Sequence, residues 1–296
     1  MAVSTTSANE LTAEQVQRIL IQPLEDQSVI LASGVRIFDT NGSPVRIPKM
    51  GPATSPGWFG ENEQIGEVNP TFDEVTLLPE TMQSLKTLTR YSNELARQAI
   101  VALDAALKAR LVKDVADVLD RQFIAGEGDE GDGTTAGTAP VGLLNMADTT
   151  ELTGVGALAL DDLHDAEGAA LAADVDPTRL RWIMRPETFI SLRKIKDGQQ
   201  RYQIQPDPTE AGAYTLLGHR VTVTKRIPVV DSTTDTTSVI LWDPSQVAVA
   251  RDLAPSVKVL DQTFAAYDQQ ALRVVCRMDI GALNSEAVVV LRGVNV

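Results

Sequence analysis

Gly126, Gly128 and Gly131 stand at the spacing G-x-G-x-x-G, an arrangement that lets a backbone cradle a pyrophosphate. That chemistry needs a strand before the turn and no negative charge beside it. Here the run follows a helix-like stretch, and Glu127, Asp129, Glu130 and Asp132 lie between or beside the glycines. Repulsion of phosphate makes a solvated loop the better reading. The same acids lack the ligand spacing of an EF-hand, so calcium is not indicated either. His164 and His219 are the only histidines, and neither has a second nitrogen ligand three or four residues away. Cys276 is alone, which excludes an intrachain disulfide and a cysteine metal cluster. G-x-S-x-G is absent, as is a Cys-His pairing for nucleophilic catalysis. Asp114, Asp117 and Asp120 recur every three residues and read as a solvated or inter-subunit face rather than an acid/base pair. No catalytic, metal or cofactor constellation emerges, and the chain reads as a non-enzyme.

A different chemistry stands out in "PGWFGENEQIGEVNPTFDEVTL", residues 56–77. Trp58 and Phe59 sit among Gly, Pro and carboxylates, with no periodic element around them. From Met50 to Leu85 there is no Lys or Arg, while Glu61, Glu63, Glu67, Asp73, Glu74 and Glu80 are acidic. Such aromatics either cover a neighbouring loop or anchor the segment on another chain, where they give much contact area at little entropy cost. The second reading is favoured, because the segment has no core of its own. Its missing positive charge predicts a basic receiving surface, for which Arg90, Arg97, Arg110 and Arg121 are candidates, assigned to the long helix described below.

The elements that must position these residues follow from periodicity. "TAEQVQRILIQPL" predicts a short amphipathic helix, with Thr12 and Gln15 at capping-box spacing and Pro23 as its stop. Val35/Ile37 and Val45/Ile47 flank Asn41-Gly42, which predicts a hairpin between those two runs. "TFDEVTLLP" predicts a strand, so residues 28–90 read as long strands with an irregular acidic tip. From Ser92 to Gly126, apolar residues at 95, 99, 103, 107, 111, 115, 118 and 119 predict one long helix capped by Ser92 or Asn93. Further on, helices are expected at "LALDDLHDAEGAALAA" and "PETFISLRKIKD", with a strand "LRWIMR" between them. Strands follow in "YTLLGHRVTVTKRIP", "TSVILWDPSQVAVARD" and "SVKVLDQ", and two long ones in "ALRVVCRMDIGALNSEAVVVLRG". Trp182 and Trp242 belong to the core. The pattern is α+β.

Composition bounds the rest. The 296 residues are 43% hydrophobic, enough for one large core or two smaller ones. A formal charge of −14 argues against tight nucleic-acid binding, which needs clustered Lys and Arg. No run reaches the roughly 18 apolar residues of a membrane span, and "MAVSTTSANELTAEQ" lacks the regions of a secretory signal. Synthesis inside a cell is expected.

Taken in order, the arm, the acidic stretch with W-x-G-E and "NPTFDEVTLLP", the long helix opened by Ser-Asn-Glu-Leu, "APVGLLN", "WIMRPETFISLRKIKDGQQRY", "LLGHRVTVTKRIP", "LWDPSQVAVARD" and "AVVVLRG" resemble the major capsid proteins of tailed bacteriophages, the Hong Kong 97-type fold. The resemblance implies an N-terminal arm at 1–27, an E-loop region at 28–91, a peripheral domain at 92–152 and 253–296, and an axial domain at 153–252. It implies an E-loop laid over a neighbouring subunit, with Trp58, Phe59, Glu61, Glu63, Glu67, Phe72, Asp73 and Glu74 in the contact. The implied partners are copies of the chain itself, in hexamers and pentamers, with portal and scaffolding proteins and a decoration protein. The resulting icosahedral shell encloses double-stranded DNA without reading its sequence, and needs no cofactor. Some relatives begin with a scaffolding region of about a hundred residues; only about 27 precede the first strands here, so scaffolding is expected to be separate or unnecessary. In some relatives an E-loop lysine joins an asparagine on the next subunit, assisted by a glutamate. The matching positions here read Gln270 and Arg277, and the nearest amines are Lys49 and Lys86, so non-covalent shells are expected. An encapsulin-type shell and an α/β enzyme are the alternatives.

Overall fold

The computed structural model describes residues 28–50, 58, 61, 72–98, 103–128, 138–204, 214–230, 235–260 and 262–296. The predicted helix at residues 12–22 lies outside them. The strands are β1 (Arg36–Asp39), β2 (Val45–Met50), β3 (Phe72–Leu77), β4 (Leu85–Ser92), β5 (Thr150–Leu152), β6 (Arg181–Met184), β7 (Thr215–Leu216), β8 (His219–Val223), β9 (Thr236–Trp242), β10 (Val247–Leu260), β11 (Gln269–Ala282) and β12 (Val288–Asn295). The helices are α1 (Asn93–Gln98), α2 (Leu103–Ala125), α3 (Leu160–Ala172) and α4 (Pro186–Arg193). Three sheets result, ordered β1-β10-β11-β4, β5-β12-β9-β6-β8-β7 and β2-β3.

The central strands of the six-stranded sheet, β12, β9 and β6, are buried on both faces, which suits their largely apolar sequences. On one face Ile183, Ile240, Val288 and Val290 join the core beneath α2. On the other, Trp182, Leu241, Val289 and Leu291 pack against α3 and α4. The α2 helix, 23 residues and so about 34 Å long, lays Leu111, Val115, Leu119 and Phe123 on Leu272, Val274 and Cys276 of β11. Trp182 and Trp242 are buried, as expected. The β12 strand, although last in the chain, pairs with β9 and β5.

Helix starts follow local chemistry. Ser92 Oγ accepts the Leu95 N–H at 3.2 Å, turning β4 directly into α1. Residues 99–102, where α1 would meet α2, lie outside the described residues. Pro186 opens α4, where its missing N–H costs nothing. At the other end of α2, Leu143 and Leu144 donate to the carbonyls of Phe123 and Ile124. That clasp needs glycine twice: a Cβ on Gly126 would lie 2.3 Å from the Pro140 carbonyl, and one on Gly142 2.5 Å from the Gly126 nitrogen. Gly126 therefore ends a helix and admits a crossing chain.

The expected hairpin about Asn41-Gly42 is corrected. The turn exists, with Gly42 at φ +90 and Thr40 Oγ1 donating to Ser43 O, but its two strands belong to different sheets. The β1 strand runs parallel to β10, Arg36 opposite Ala248 through Asp39 opposite Arg251, and Thr40 N continues the ladder onto Arg251 O. The β2 strand instead pairs antiparallel with β3, Val45 opposite Leu77 through Met50 opposite Phe72. Each run finds a partner elsewhere, and the turn only separates them.

Candidate assembly surface

Among the described residues the β2–β3 hairpin shares no hydrogen-bonded ladder with either larger sheet. It is fastened at its base. Leu77, Leu78 and Met82 are buried against Ala248 and Ala250 of β10, with Val45, Ile47 and Val75 partly buried around them. The fit leaves no spare room, since a Cβ on Gly281 would lie 2.6 Å from Leu77 Cδ2.

Two charged residues of β11 complete the fastening. Asp279 is buried, and its two oxygens accept the N–H groups of Leu78 and Ile280, each at 2.8 Å. Leu78 adopts φ +54, in the left-handed region, so the bond secures a turn that leucine rarely takes. Burial pushes the Asp279 carboxyl above the usual carboxylate range, opposed by the bonds from Leu78 and Ile280 and by nearby Arg277. Arg277 donates to the carbonyls of Met82 and Pro79 at 3.2 and 3.1 Å, and pairs with Asp252 at 3.3 Å. Neither residue was marked by sequence spacing. The available signal was an acid and a base inside the apolar run "RVVCRMDIGA".

The sequence-selected contact residues fall as follows. Trp58 is wholly exposed and Glu61 is exposed. Phe59, Glu63 and Glu67 lie outside the described residues. Phe72 and Asp73 are in β3, opposite Met50 and Lys49, but their side chains are outside the description. Glu74 is exposed and sits 3.7 Å from Arg46 across the hairpin. Among the basic candidates, Arg90 is not on the long helix: it lies in β4, stacked 5.0 Å from the Phe264 ring. Arg97 is exposed on α1. Arg110 and Arg121 meet Asp114 and Asp117 one turn away, at 2.8 and 2.9 Å. Much of the positive charge on α2 is therefore answered within the chain.

The aspartate row on α2 is corrected at its last member. Asp120 is buried, accepting Ser28 Oγ–H at 2.6 Å and the Val29 N–H at 2.7 Å. Arg226, itself buried, inserts between Asp120 at 2.9 Å and Asp117 at 2.7 Å. The loop after β8, α2 and the chain at Ser28 thus meet at one charged junction. A carboxylate on a helix facing the core survives there because a guanidinium reaches it from another element.

Among the described residues no three His, Cys, Asp or Glu side chains converge to hold a metal. Cys276 is buried and its thiol is pushed up to about 11 by desolvation, which removes it as a nucleophile. His219 is buried 3.2 Å from Glu167. Gln270 Oε1 accepts the Tyr91 hydroxyl at 3.1 Å, and Arg277 is committed to the hairpin base. No described helix is long and apolar enough to cross a membrane.

The Phage capsid family profile matches residues 9–293. The chain belongs to the phage capsid family. The major capsid protein of Halomonas phage phiHAP-1 is 23% identical over 269 residues, which are 91% of this chain and 41% of that protein. This capsid chain thus spans about two-fifths of the length of its curated relative. Solved structures from Mycobacterium phage Bobi and Microbacterium phage Oxtober96 superpose with a TM-score of 0.73 at 16% and 15% identity, covering 100% of both chains in each case. The capsid of a native GTA particle gives 0.72 at 17% identity, over 99% of this chain and 100% of its own. These likenesses carry the fold, the Hong Kong 97-type α+β architecture expected from motif order. As a phage capsid protein, the chain has its place in the virion.

Proposed function

We propose that this capsid protein self-assembles through hexamers and pentamers into the icosahedral head of a tailed phage, around double-stranded DNA. The observation that carries the reading is the β2–β3 pair, which among the described residues forms a ladder of its own and packs on the body at its base. An arm of that kind gains area from other copies, and weak contacts suffice when they are repeated. Residues 28–91 supply this E-loop, 1–27 an N-terminal arm, 92–152 and 253–296 a peripheral domain, and 153–252 an axial domain. Trp58 and Phe59 anchor the hairpin on the next subunit, with Glu61, Glu63, Glu67, Phe72, Asp73 and Glu74 in the contact. A wholly exposed Trp58 in the single chain supports that role. The acidic character of the chain lets packaged DNA move without adhering. Portal, scaffolding and decoration proteins are the further partners. Negative-stain microscopy of the expressed protein, alone and with a scaffold, tests the proposal. Closed shells with pentameric vertices are expected, and monomers or dimers throughout would overturn it. The named relatives are phage or GTA capsids, which favours a DNA-filled head over a protein-filled compartment.

A further inference from the structure

A cavity of about 410 Å³ opens where the chain leading into β1 meets β6, β8 and the turn after β9. Ser33 and Gly34 line it from the β1 side, Arg181 and Arg220 from β6 and β8, and Asp243 with Ser245 from that turn. Its size lies in the range of small-molecule sites, roughly 300–1,000 Å³. The β6 and β8 strands run parallel with Arg181 directly opposite Arg220, and neighbouring strands are about 4.8 Å apart. Trp182 and Val221, next along each strand, pack towards α3 and α4, so the two arginines share the other face.

The cations around this cavity are not all answered. Arg179 is 3.5 Å from Asp176, which also accepts the N–H and the hydroxyl of Thr178. His219 Nε2 lies 3.2 Å from Glu167. Asp243, the buried carboxylate of the wall, accepts the Ser245 N–H at 2.8 Å and its hydroxyl at 2.9 Å. Among the described residues Arg181 and Arg220 have neither a carboxylate within ion-pair distance nor a side-chain hydrogen bond, in a chain whose net charge is −14. Like charges set directly opposite in a sheet repel. An anion held between them turns that repulsion into attraction.

We infer that this cavity binds the phosphate group of a small molecule, inorganic phosphate or a mononucleotide, between Arg181 and Arg220. Each guanidinium is a planar fork of N–H donors that meets two oxygens at once. A phosphate has oxygens enough for both forks, whereas the two of a carboxylate suit one. The hydroxyls of Thr178 and Ser245 line the same space, and the volume beyond the phosphate admits the organic part of a mononucleotide. Ser33 and Gly34 precede β1 of the four-stranded sheet, while the arginines belong to the six-stranded one. The ligand therefore sits on the seam between the two sheets.

The test uses the full chain at constant ionic strength, and shell assembly plays no part in its readouts. Titrations with inorganic phosphate and, separately, adenosine monophosphate are followed by phosphorus NMR and by the melting temperature. At least one ligand should bind saturably, raise the melting temperature and slow amide exchange at Gly34. Arg181→Gln with Arg220→Gln should weaken that binding by about tenfold or more, the loss expected when charge-assisted hydrogen bonds are removed. Arg220→Gln alone, at an exposed position and so gentler on the fold, should weaken it less. Lys194→Gln with Lys225→Gln removes as much charge outside the cavity and should leave binding unchanged. Equal affinity for the two ligands assigns the site to free phosphate, and tighter binding of the ester assigns it to a nucleotide; both support the inference. Stabilisation matched by chloride, or wild-type affinity in either arginine variant, overturns it. Binding of a DNA duplex with neither small ligand held overturns it as well, and assigns the arginines to nucleic acid.

Discussion

Asp279 accepts the backbone N–H of Leu78 at 2.8 Å across 201 residues of sequence, and this bond fixes where the hairpin leaves the body. Both of its oxygens are used, since Ile280 N donates to the other. Asp279→Asn keeps the volume but offers one acceptor for two donors. It should destabilise the subunit by about 1–3 kcal/mol in chemical denaturation at neutral pH, the cost of a buried unpaired group.

The same residue gives a pH signature. Burial raises its folded-state carboxyl above the unfolded value near 3.8, so between those values the folded chain holds a proton that the unfolded chain has released. The contribution of Asp279 to stability is therefore fullest below the unfolded value and falls as pH rises through the folded one. Subtracting the stability profile of Asp279→Asn from that of the wild type should reveal this fall. A difference that is flat across the acid range, or that rises, would contradict it.

Arg226→Ala should cost about 3–5 kcal/mol, because it leaves Asp120 buried without its cation. Amide exchange at Val29, whose N–H is held by the same carboxylate, should accelerate with it. A loss within about 0.5 kcal/mol, typical of surface changes, would show that the junction carries little of the fold.

Trp58→Ala with Phe59→Ala should impair shell formation while leaving the thermal unfolding of the subunit unchanged. Interfacial aromatics cost about 2 kcal/mol or more when truncated, and the contact recurs in every subunit. Normal yield and shell stability in the double variant would remove the anchor from the account.

Mature particles boiled in detergent should give one subunit band, near 31.9 kDa for this chain. Lys49 lies within the β2 ladder opposite Asp73, and Lys86 on β4 opposite Val275. Gln270 is bonded to Tyr91, and Arg277, a cation, cannot take a proton from an attacking amine. A ladder of dimers to hexamers resistant to reducing agent would show a lysine and acceptor elsewhere.

Periodicity carried the secondary structure a long way. The apolar positions of α2, the Ser92 cap, Pro186 at the start of α4 and the Val-rich β12 depend on neighbours a few residues apart, and these are written locally. The order of such elements was enough to indicate the fold. Turn chemistry alone misled at Asn41-Gly42. It specifies a reversal of the chain, while strand partners come from the ladders β10 and β3 offer, some 200 and 30 residues further along.

Charge was the least legible property. Asp114, Asp117 and Asp120 look alike in sequence, yet the first two lie in ion pairs at least partly open to water, while Asp120 is buried with Arg226 from more than a hundred residues away. The four arginines chosen as a basic face are separated by the fold: Arg90 stacks on Phe264 in a strand, while Arg110 and Arg121 meet aspartates on their own helix. What the amino-acid order determined by itself was which segments are helix, strand or acidic stretch, because those follow from local spacing and backbone sterics. Which charges are paired inside the subunit and which stay exposed was decided only by tertiary structure, because Coulomb attraction and desolvation depend on distance in space, and β11 is where the hairpin base and the core are brought together.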